Sequence, residues 1–459
     1  MQLKIEDIIH ATGGRCLNPE VIGDTLISAI TTDSRKIPQD SLFVPLKGER
    51  FDGHAFIQKV KQEGAYATLT ENAFVADDTL VHIFVADTGK ALLDLACYYR
   101  KQFEINVVGV TGSVGKTTTK DMIAAVLGHQ LNVLKTQGNY NNEIGLPLTV
   151  FGLEKNHQVA VLEMGMNHFD EIRRLTHVAQ PQIAVITNIG TSHIENLGSR
   201  EGILKAKLEI LEGLHSDGLF LVNGCDSYLK ECAKMWPHTL SYGIGEGFDY
   251  EADGIYTKEG LTFAKVKTPK SSFVISIPAL GEHMVMNALV AIAIAEHMGL
   301  SENEMIEGLM AYTPSKMRMN IVSHSNGITI MDDTYNASPD SMRASLKVLS
   351  DYQTQGRRVA ILGDMFEMGE YGPKLHEEVG TFILDTAIDT VYCVGELAKY
   401  IFKGISQKEK VGLSVHHYQD KESFTKQLEH ELKQGDTVLV KASRGMKFEE
   451  IVASIGKVK

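Results

Sequence analysis

Between residues 107 and 123 the chain reads VVGVTGSVGKTTTKDMI. A β-branched run, Val107 to Val110, enters a glycine loop that ends in Gly115-Lys116-Thr117, and a helical stretch follows. Strand, tight glycine turn, then helix is a restrictive order. The helix must return across a sheet face, which places the strand in a parallel α/β sheet. The same order cradles phosphate. Glycines let the backbone bend so that N–H groups converge, and the helix N-terminus adds partial positive charge. Lys116 is then placed to reach terminal phosphates and the Thr117 hydroxyl to ligate Mg²⁺, with Gly112, Ser113, Val114, Gly115 and Thr118 completing the cradle. The usual consensus has a glycine five residues before Gly115, where this chain has Val110; its glycines stand at 109, 112 and 115. The loop is therefore a variant P-loop.

A chain of 459 residues exceeds one ordinary core, so two or three domains are expected. Net charge is −13, which disfavours nonspecific nucleic-acid binding but permits a local basic pocket for an anionic substrate. The five cysteines (Cys16, Cys97, Cys225, Cys232, Cys393) are scattered without a CxxC pair, so no disulfide framework or cysteine zinc site is expected. The N-terminus MQLKIEDIIHATGG lacks the apolar core of a signal peptide, and no run of about 18 apolar residues occurs. The expectation is a cytoplasmic protein with no stable membrane insertion.

Residues 1–100 read as a small α/β domain ending in a helix, KALLDLACYYRKQF. In residues 101–313, β-rich runs (INVVGV, VAVLEM, IAVITNI, LFLVNG) alternate with helical periodicity. The Gly-, Tyr- and Thr-rich stretch at 240–280 reads as antiparallel hairpins, and HMVMNALVAIAIAEHMG as a mostly buried helix. Pro314 breaks the pattern. Residues 314–459 then repeat the α/β alternation with ITIMDD, RVAILGD, TVYCVG and TVLVKAS, a Rossmann-like domain. The expected fold class is α/β with three domains, a central P-loop domain flanked by two smaller ones.

Several residues downstream of the loop stand where chemistry is carried, after parallel strands. Glu163 ends VAVLEMG, and a carboxylate there can hold Mg²⁺ or simply face solvent. Asn188 and His193 follow the strand AVITNI. The helix REGILKAKLEILEGL carries Lys205 and Lys207, which by pattern alone belong to a solvated face. Asp332 and Asp333 end another strand; they suit ribose or metal, or else cap the helix that begins at PDSM, a task Ser338 or Asp340 also fits. Lys316 and Arg318 open the third domain as nucleotide contacts or linker charges. No HExxH and no His/Cys cluster points to zinc. No guanine-reading NKxD segment occurs, which disfavours a GTPase switch; a nucleotide-driven motor is a further alternative.

The stretches GVTGSVGKTTTK, TQGNYNNEIGLPLT, VLEMGMNHFDEI, ITNIGTSHIENLGSREGILKAK, MDDTYNASPDSM and LGDMFEMGE, in this order, resemble the Mur ligase family of ATP-dependent peptide-forming enzymes. The resemblance runs from TDSRKIPQDSLFVPLKGERFDGHAFI to KASRGMKFEEIV, and the variant glycine spacing is the family's own. DDTYNASPDSM with LGDMFEMGE most resembles the branch that adds D-alanyl-D-alanine to UDP-N-acetylmuramoyl-tripeptide; the DNPR segment of the branch acting one step earlier is missing. One departure is His283-Met284, where the family's adenine-side motif has His-Asn.

The resemblance implies roles residue by residue. Lys116 and Thr117 serve ATP phosphates and one Mg²⁺, with Glu163 a further ligand. His193 and Lys207 serve a second Mg²⁺, Lys207 as a CO₂-derived carbamate. Asn287, Arg318 and Asp333 bind ATP. Ser34 and Arg35 meet the UDP end of the substrate, and Asn141 and Asn142 the substrate or the loop shaping its cleft. Asn336 is carried over as a further substrate residue. Arg444, in KASRGMKF, is a candidate seat for the dipeptide carboxylate or a tie within its own loop. A monomer is expected. The alternatives are another Mur-type or folylpolyglutamate-type amide ligase.

Overall fold

The computed structural model describes residues 1–48, 51–74 and 79–457; Glu49 and Arg50 of the N-terminal matching stretch lie outside them, as do Val458 and Lys459. The chain forms two compact units. The first comprises Met1–Thr111, Gln130–Val185 and Leu208–Phe220, and the second Gly112–His129, Ile186–Lys207 and Leu221–Lys459.

The first unit contains a five-stranded sheet built from β1 (Arg15–Cys16), β2 (Ala29–Thr31), β3 (Ser41–Phe43), β4 (Ala65–Thr70) and β5 (Val81–Phe84), in the order β1-β5-β4-β3-β2. Only β1 is antiparallel to its neighbour. The helix Thr88–Arg100 follows; Asp87 caps it by accepting from the Lys90 N–H. This unit also holds β6 (Asn106–Thr111), β7 (Val133–Lys135), β8 (Val159–Glu163) and nearly all of β9 (Ile183–Ile186), ordered β9-β6-β8-β7. β6, β7 and β8 pair in parallel, and β8 and β9 are buried at every position, as strands covered on both faces must be.

The second unit takes in the end of β10 (Leu219–Asn223) and then β11 (Thr239–Ile244), β12 (Tyr250–Lys258), β13 (Leu261–Lys267) and β14 (Ser272–Ile277). β12, β13 and β14 form the expected antiparallel meander. β11 and β12 depart from the hairpin expectation: they pair in parallel, Tyr242 opposite Tyr250. Gly245 and Gly247, at φ +96° and +98°, let the chain double back in the few residues between them. The helix Glu282–His297 follows, almost wholly buried as its sequence predicts.

The last sheet comprises β15 (Asn320–Ser323), β16 (Thr329–Asp332), β17 (Arg358–Gly363), β18 (Thr390–Val394), β19 (Ser414–Tyr418) and β20 (Thr437–Lys441), in the order β15-β16-β20-β17-β18-β19. All neighbours are parallel except β15 with β16. The two-residue period of the strands divides their side chains between two cores. Ala360, Leu362, Val391, Cys393 and Leu439 pack with the helices Pro339–Asp351, Gly372–Ile383 and Lys399–Ser406. Val359, Ile361, Tyr392, Val394, Val438 and Val440 pack with Lys421–Glu431 and Glu449–Ile455 on the other face. The parallel strands thus bring Asp333, Asp364 and Ser443 to one end of this sheet.

Helices Gly372–Ile383 and Lys399–Ser406 cross in backbone contact. A Cβ on Gly380 would lie 2.2 Å from the Ile401 carbonyl oxygen, and one on Gly404 2.2 Å from that of Glu377. Both obstacles are main chain and cannot rotate aside. Gly380→Ala is therefore expected to destabilise the protein by about 1–3 kcal/mol despite alanine's better helix propensity. Denaturant unfolding reads this out, and unchanged or raised stability would show that the crossing is looser.

Candidate active site

The loop after β6 is held by the segment after β9. Ser113 donates its N–H to the Asn188 carbonyl (3.0 Å). The Val114 N–H donates to Asn188 Oδ1 (3.0 Å), while Asn188 Nδ2 and Thr187 Oγ1 donate to the Val114 carbonyl (2.8 and 2.6 Å). Gly190 donates its N–H to Ser113 Oγ (2.9 Å). Gly112, at φ +148°, passes so close that a Cβ there would stand 1.8 Å from Thr187 Oγ1. Gly115, at φ +87°, turns the chain into the helix Lys116–Leu127. Because Ser113 and Val114 commit their N–H groups to Asn188, the first helical turn, at Lys116, Thr117 and Thr118, offers donors for an anion, beside its N-cap Gly115.

Lys116 Nζ folds back on the loop and donates to the Gly112 carbonyl (2.8 Å). Arg318 reaches in from the start of the third domain: its Nη2 donates to Thr117 Oγ1 (2.9 Å) and its guanidinium lies over the Tyr335 ring. Thr119 Oγ1 donates to Asn287 Oδ1 (2.9 Å), tying the helix Glu282–His297 to the same turn. Met284, where the family has Asn, is buried, with its sulfur 3.9 Å from Asn287 Nδ2. The second unit thus gathers Lys116, Thr117, Asn287 and Arg318 around one helix start.

Lys207 overturns its pattern-based reading as a solvated residue. It is 1 % exposed, whereas Lys205 on the same helix is exposed. Burial, and secondarily the nearby Lys116 charge, pushes its pKa well below the usual lysine value. The spacing of apolar residues could not reveal this, because a long amphipathic stem passes as surface on any helical wheel. His193 sits at φ +63° in the loop before the helix Ile194–Leu197, with Nδ1 2.7 Å from Glu367 Oε2.

Asp333 is partly buried and fully engaged. It accepts from the Met319 N–H and Ser345 Oγ and pairs with Lys441 Nζ at 2.5 Å. The Lys441 charge holds its carboxyl below the usual range against the opposing effect of burial. Lys441, 2 % exposed, also donates to the Asn336 carbonyl. The helix cap debated for the adjacent acids is supplied by Ser338. Arg444 is exposed and pairs with Glu449 (2.9 Å). Lys441 and Glu367 were not singled out as site residues in the sequence, and Asn188 was noted there without a role. A lysine closing the apolar strand TVLVK was the available signal for the first.

In the first unit, Glu163 stands opposite Val110 in the β6/β8 register, two residues before Gly112 in the chain. It is 2 % exposed; Oε1 accepts from Asn141 Nδ2 (2.8 Å), and Oε2 is buried with no hydrogen-bond partner among the described residues. Such an orphaned carboxylate oxygen fits a hard divalent cation. No group of three His, Cys, Asp or Glu side chains among the described residues is arranged to hold a metal. Mg²⁺, which binds through one or two protein oxygens plus phosphates and water, suits that supply better than zinc does. Asn142 Oδ1 caps the helix Gly145–Val150 by accepting from Ile144 and Gly145 N–H. Arg35 is exposed and forks onto Asp33, and the Ser34 carbonyl accepts from Lys59.

Residues 26–100 match the model described as Mur ligase family, catalytic domain; residues 110–295 match the Mur ligase middle domain; and residues 317–444 match Mur ligase, glutamate ligase domain. The UDP-N-acetylmuramoyl-tripeptide–D-alanyl-D-alanine ligase of Bacillus subtilis is 41% identical over 98% of both chains. The chain belongs to the Mur ligase family. Among solved Mur ligases, a crystal structure of MurF from Acinetobacter baumannii superposes with a TM-score of 0.91 at 33% identity, covering 100% of this chain and 99% of that one. MurF of Thermotoga maritima in complex with ADP gives 0.84 at 31% identity, covering 95% and 98%. The Mur ligase fold of three α/β domains is thus the fold of this chain. No helix among the described residues is long and apolar enough to cross a membrane.

The Asn188 clamp carries an expectation of its own. Asn188→Asp keeps an acceptor for the Val114 N–H but sets a carboxylate oxygen against the Val114 carbonyl. It should cost on the order of 1–3 kcal/mol of stability, the range for a buried hydrogen bond replaced by an unsatisfied group. Wild-type unfolding behaviour in this variant would show that Thr187 alone holds the loop.

Proposed function

We propose that this chain is the ATP-dependent ligase that joins D-alanyl-D-alanine to UDP-N-acetylmuramoyl-tripeptide, forming the pentapeptide precursor of peptidoglycan in the cytoplasm. The observation that carries this reading is full-length likeness to relatives named for that reaction, at up to 41% identity. We place the acceptor-binding domain at residues 1–100, the ATP-binding domain at 101–313 and the dipeptide-binding domain at 314–459, and we take the enzyme to be a monomer.

A carboxylate is a poor electrophile. Transfer of the ATP γ-phosphoryl group to the tripeptide carboxylate gives an acyl phosphate and ADP; the dipeptide amine then attacks the acyl carbon, and phosphate leaves as the amide forms. Two anions must meet in the first step, so charge neutralisation is the main catalytic demand. Lys116 leaves the Gly112 carbonyl for the γ-phosphoryl oxygens. The first-turn N–H groups of Lys116, Thr117 and Thr118 orient the phosphates. Arg318 and Asn287 contact the nucleotide, and Asp333, braced by Lys441 and Ser345, shapes its ribose side. When bound, Mg²⁺ would supply further charge neutralisation. Thr117 is proposed to serve one Mg²⁺ and His193 and Lys207 a second; Glu163, with its orphaned oxygen, is proposed as a metal ligand too. Ser34, Arg35, Asn141 and Asn142 are proposed to serve the UDP-tripeptide, and Asn336 and Arg444 the dipeptide.

Lys207 is proposed to act as a carbamate. Burial disfavours the charged amine, and a neutral amine is the form that adds CO₂; the product is an oxygen-bearing anion beside Lys116. Lys207→Ala should be nearly inactive, with partial recovery in acetate, which returns a carboxylate to the vacated space. Intact mass under CO₂ or a crystal structure should find the adduct on Lys207 and not on Lys205. A fully active alanine variant would return Lys207 to a packing role.

Incubation with UDP-N-acetylmuramoyl-tripeptide, ATP, Mg²⁺ and D-alanyl-D-alanine should yield ADP, phosphate and a product heavier by one dipeptide residue pair. ATP hydrolysis without an amide product would favour a switch or motor. Equal turnover with single D-alanine or a free diamino acid would move the chain to another branch of the ligases.

A further inference from the structure

The stretch LGDMFEMGE distinguishes this sequence, yet the roles above use none of its side chains. Its first residues are fixed from within their own sheet. Asp364 Oδ1 accepts from the Leu397 and Ala398 N–H groups, and its carbonyl accepts from the Ser443 N–H. The Met365 N–H donates to Nε2 of the buried His376, and that of Phe366 to Ser443 Oγ. So anchored, the chain turns through a left-handed Glu367 (φ +64°) and Gly369 (φ +51°).

That turn lays the segment on the His193 loop. Tyr371 Oη donates to the Gly198 carbonyl (3.2 Å), and Gly369 lies so near Glu195 that a Cβ would stand 3.1 Å from its Cγ. Between these contacts the Glu367 carboxylate comes to 2.7 Å from His193 Nδ1. At that distance the carboxylate faces the nitrogen without forming an aligned hydrogen bond, and no other described group bonds to that buried nitrogen. Both partners adopt a backbone conformation that non-glycine residues avoid, His193 at +63° and Glu367 at +64°. Two strained residues that meet side chain to side chain mark a constraint more specific than a surface ion pair, which would need neither.

We propose that Glu367 is a positioning residue: it sets the imidazole of His193, and does so only when the 364–371 segment is seated on the His193 loop. The carboxylate takes Nδ1 and leaves Nε2 as the free ring nitrogen, the arrangement by which carboxylates orient histidines toward a reacting centre. Seating of the dipeptide-binding domain and readiness of His193 then become one event. The inference rests on the ligase reading of His193.

The test compares Glu367→Ala and Glu367→Gln in the full-length protein. The alanine variant should lose about 10–100-fold in kcat, the usual cost of removing a group that orients a site histidine, with KM for ATP nearly unchanged. The glutamine variant should recover part of that loss, since its amide oxygen can still face Nδ1–H. Imidazole ¹⁵N spectra, with His193 assigned through His193→Gln, should show Nδ1 protonated in the wild type and that preference lost in Glu367→Ala. Wild-type kcat or an unchanged His193 signal in Glu367→Ala would overturn the proposal. So would equal losses in both variants accompanied by a fall in melting temperature, the signature of a docking contact alone. A wild-type protein that makes no amide product would instead overturn the ligase reading.

Discussion

Val114 is gripped at both of its backbone polar groups by the one side chain of Asn188, and the nucleotide end of the molecule depends on that grip. A glycine loop is flexible by nature and has no reason of its own to present a helix N-terminus in one direction. The Asn188 amide acts toward Val114 as a neighbouring strand would, accepting its N–H and donating to its carbonyl. Thr187 and Gly190 close the contact on either side. The loop is thereby fixed, and the first helical turn, with Lys116 and Thr117, inherits its orientation. Arg318 and Asn287 in turn take their places from Thr117 and Thr119.

The second organising theme is charge out of keeping with the whole. The protein carries a net −13, yet its loop region collects Lys116, Lys207 and Arg318. Lys207 has no ion-pair partner among the described residues, and desolvation, with the nearby Lys116 charge, disfavours its charged form. Such an environment is poor for a resting protein and good for a substrate that arrives with several negative charges. The Lys441–Asp333 pair shows the contrasting solution, a buried lysine answered by a carboxylate at 2.5 Å.

Much of the fold was legible because doubly covered parallel strands write themselves as continuous apolar runs: RVAILG, TVYCV and TVLVK are strands as read. The phosphate loop was legible because its glycines and Gly115-Lys116-Thr117 are local. What escaped was set by contacts distant in sequence. β11 and β12 look like a hairpin because short connections usually make one, and the paired glycines that reverse the chain twice resemble any turn. Lys207 looks solvated because helical periodicity describes one helix and not what covers it. Ser338 and Asp340 were equally good caps by composition, and only backbone geometry chose Ser338. Glu367 escaped for a similar reason, since its partner lies far earlier in the chain.

Asp333 ties together pieces of very different sequence position. Its oxygens meet the Met319 amide just before β15, Ser345 in the helix Pro339–Asp351, and Lys441 at the end of β20. The C-terminal sheet therefore does not begin where its first strand begins. A fragment cut at Asn320 would keep every strand and still strip one hydrogen bond from the Asp333 carboxylate, whereas a cut at Pro314 would carry the whole arrangement with it. The natural seam of this domain is marked by an amide, and anyone excising the domain, fusing it to another protein or inserting a sequence ahead of it should place the join upstream of Met319.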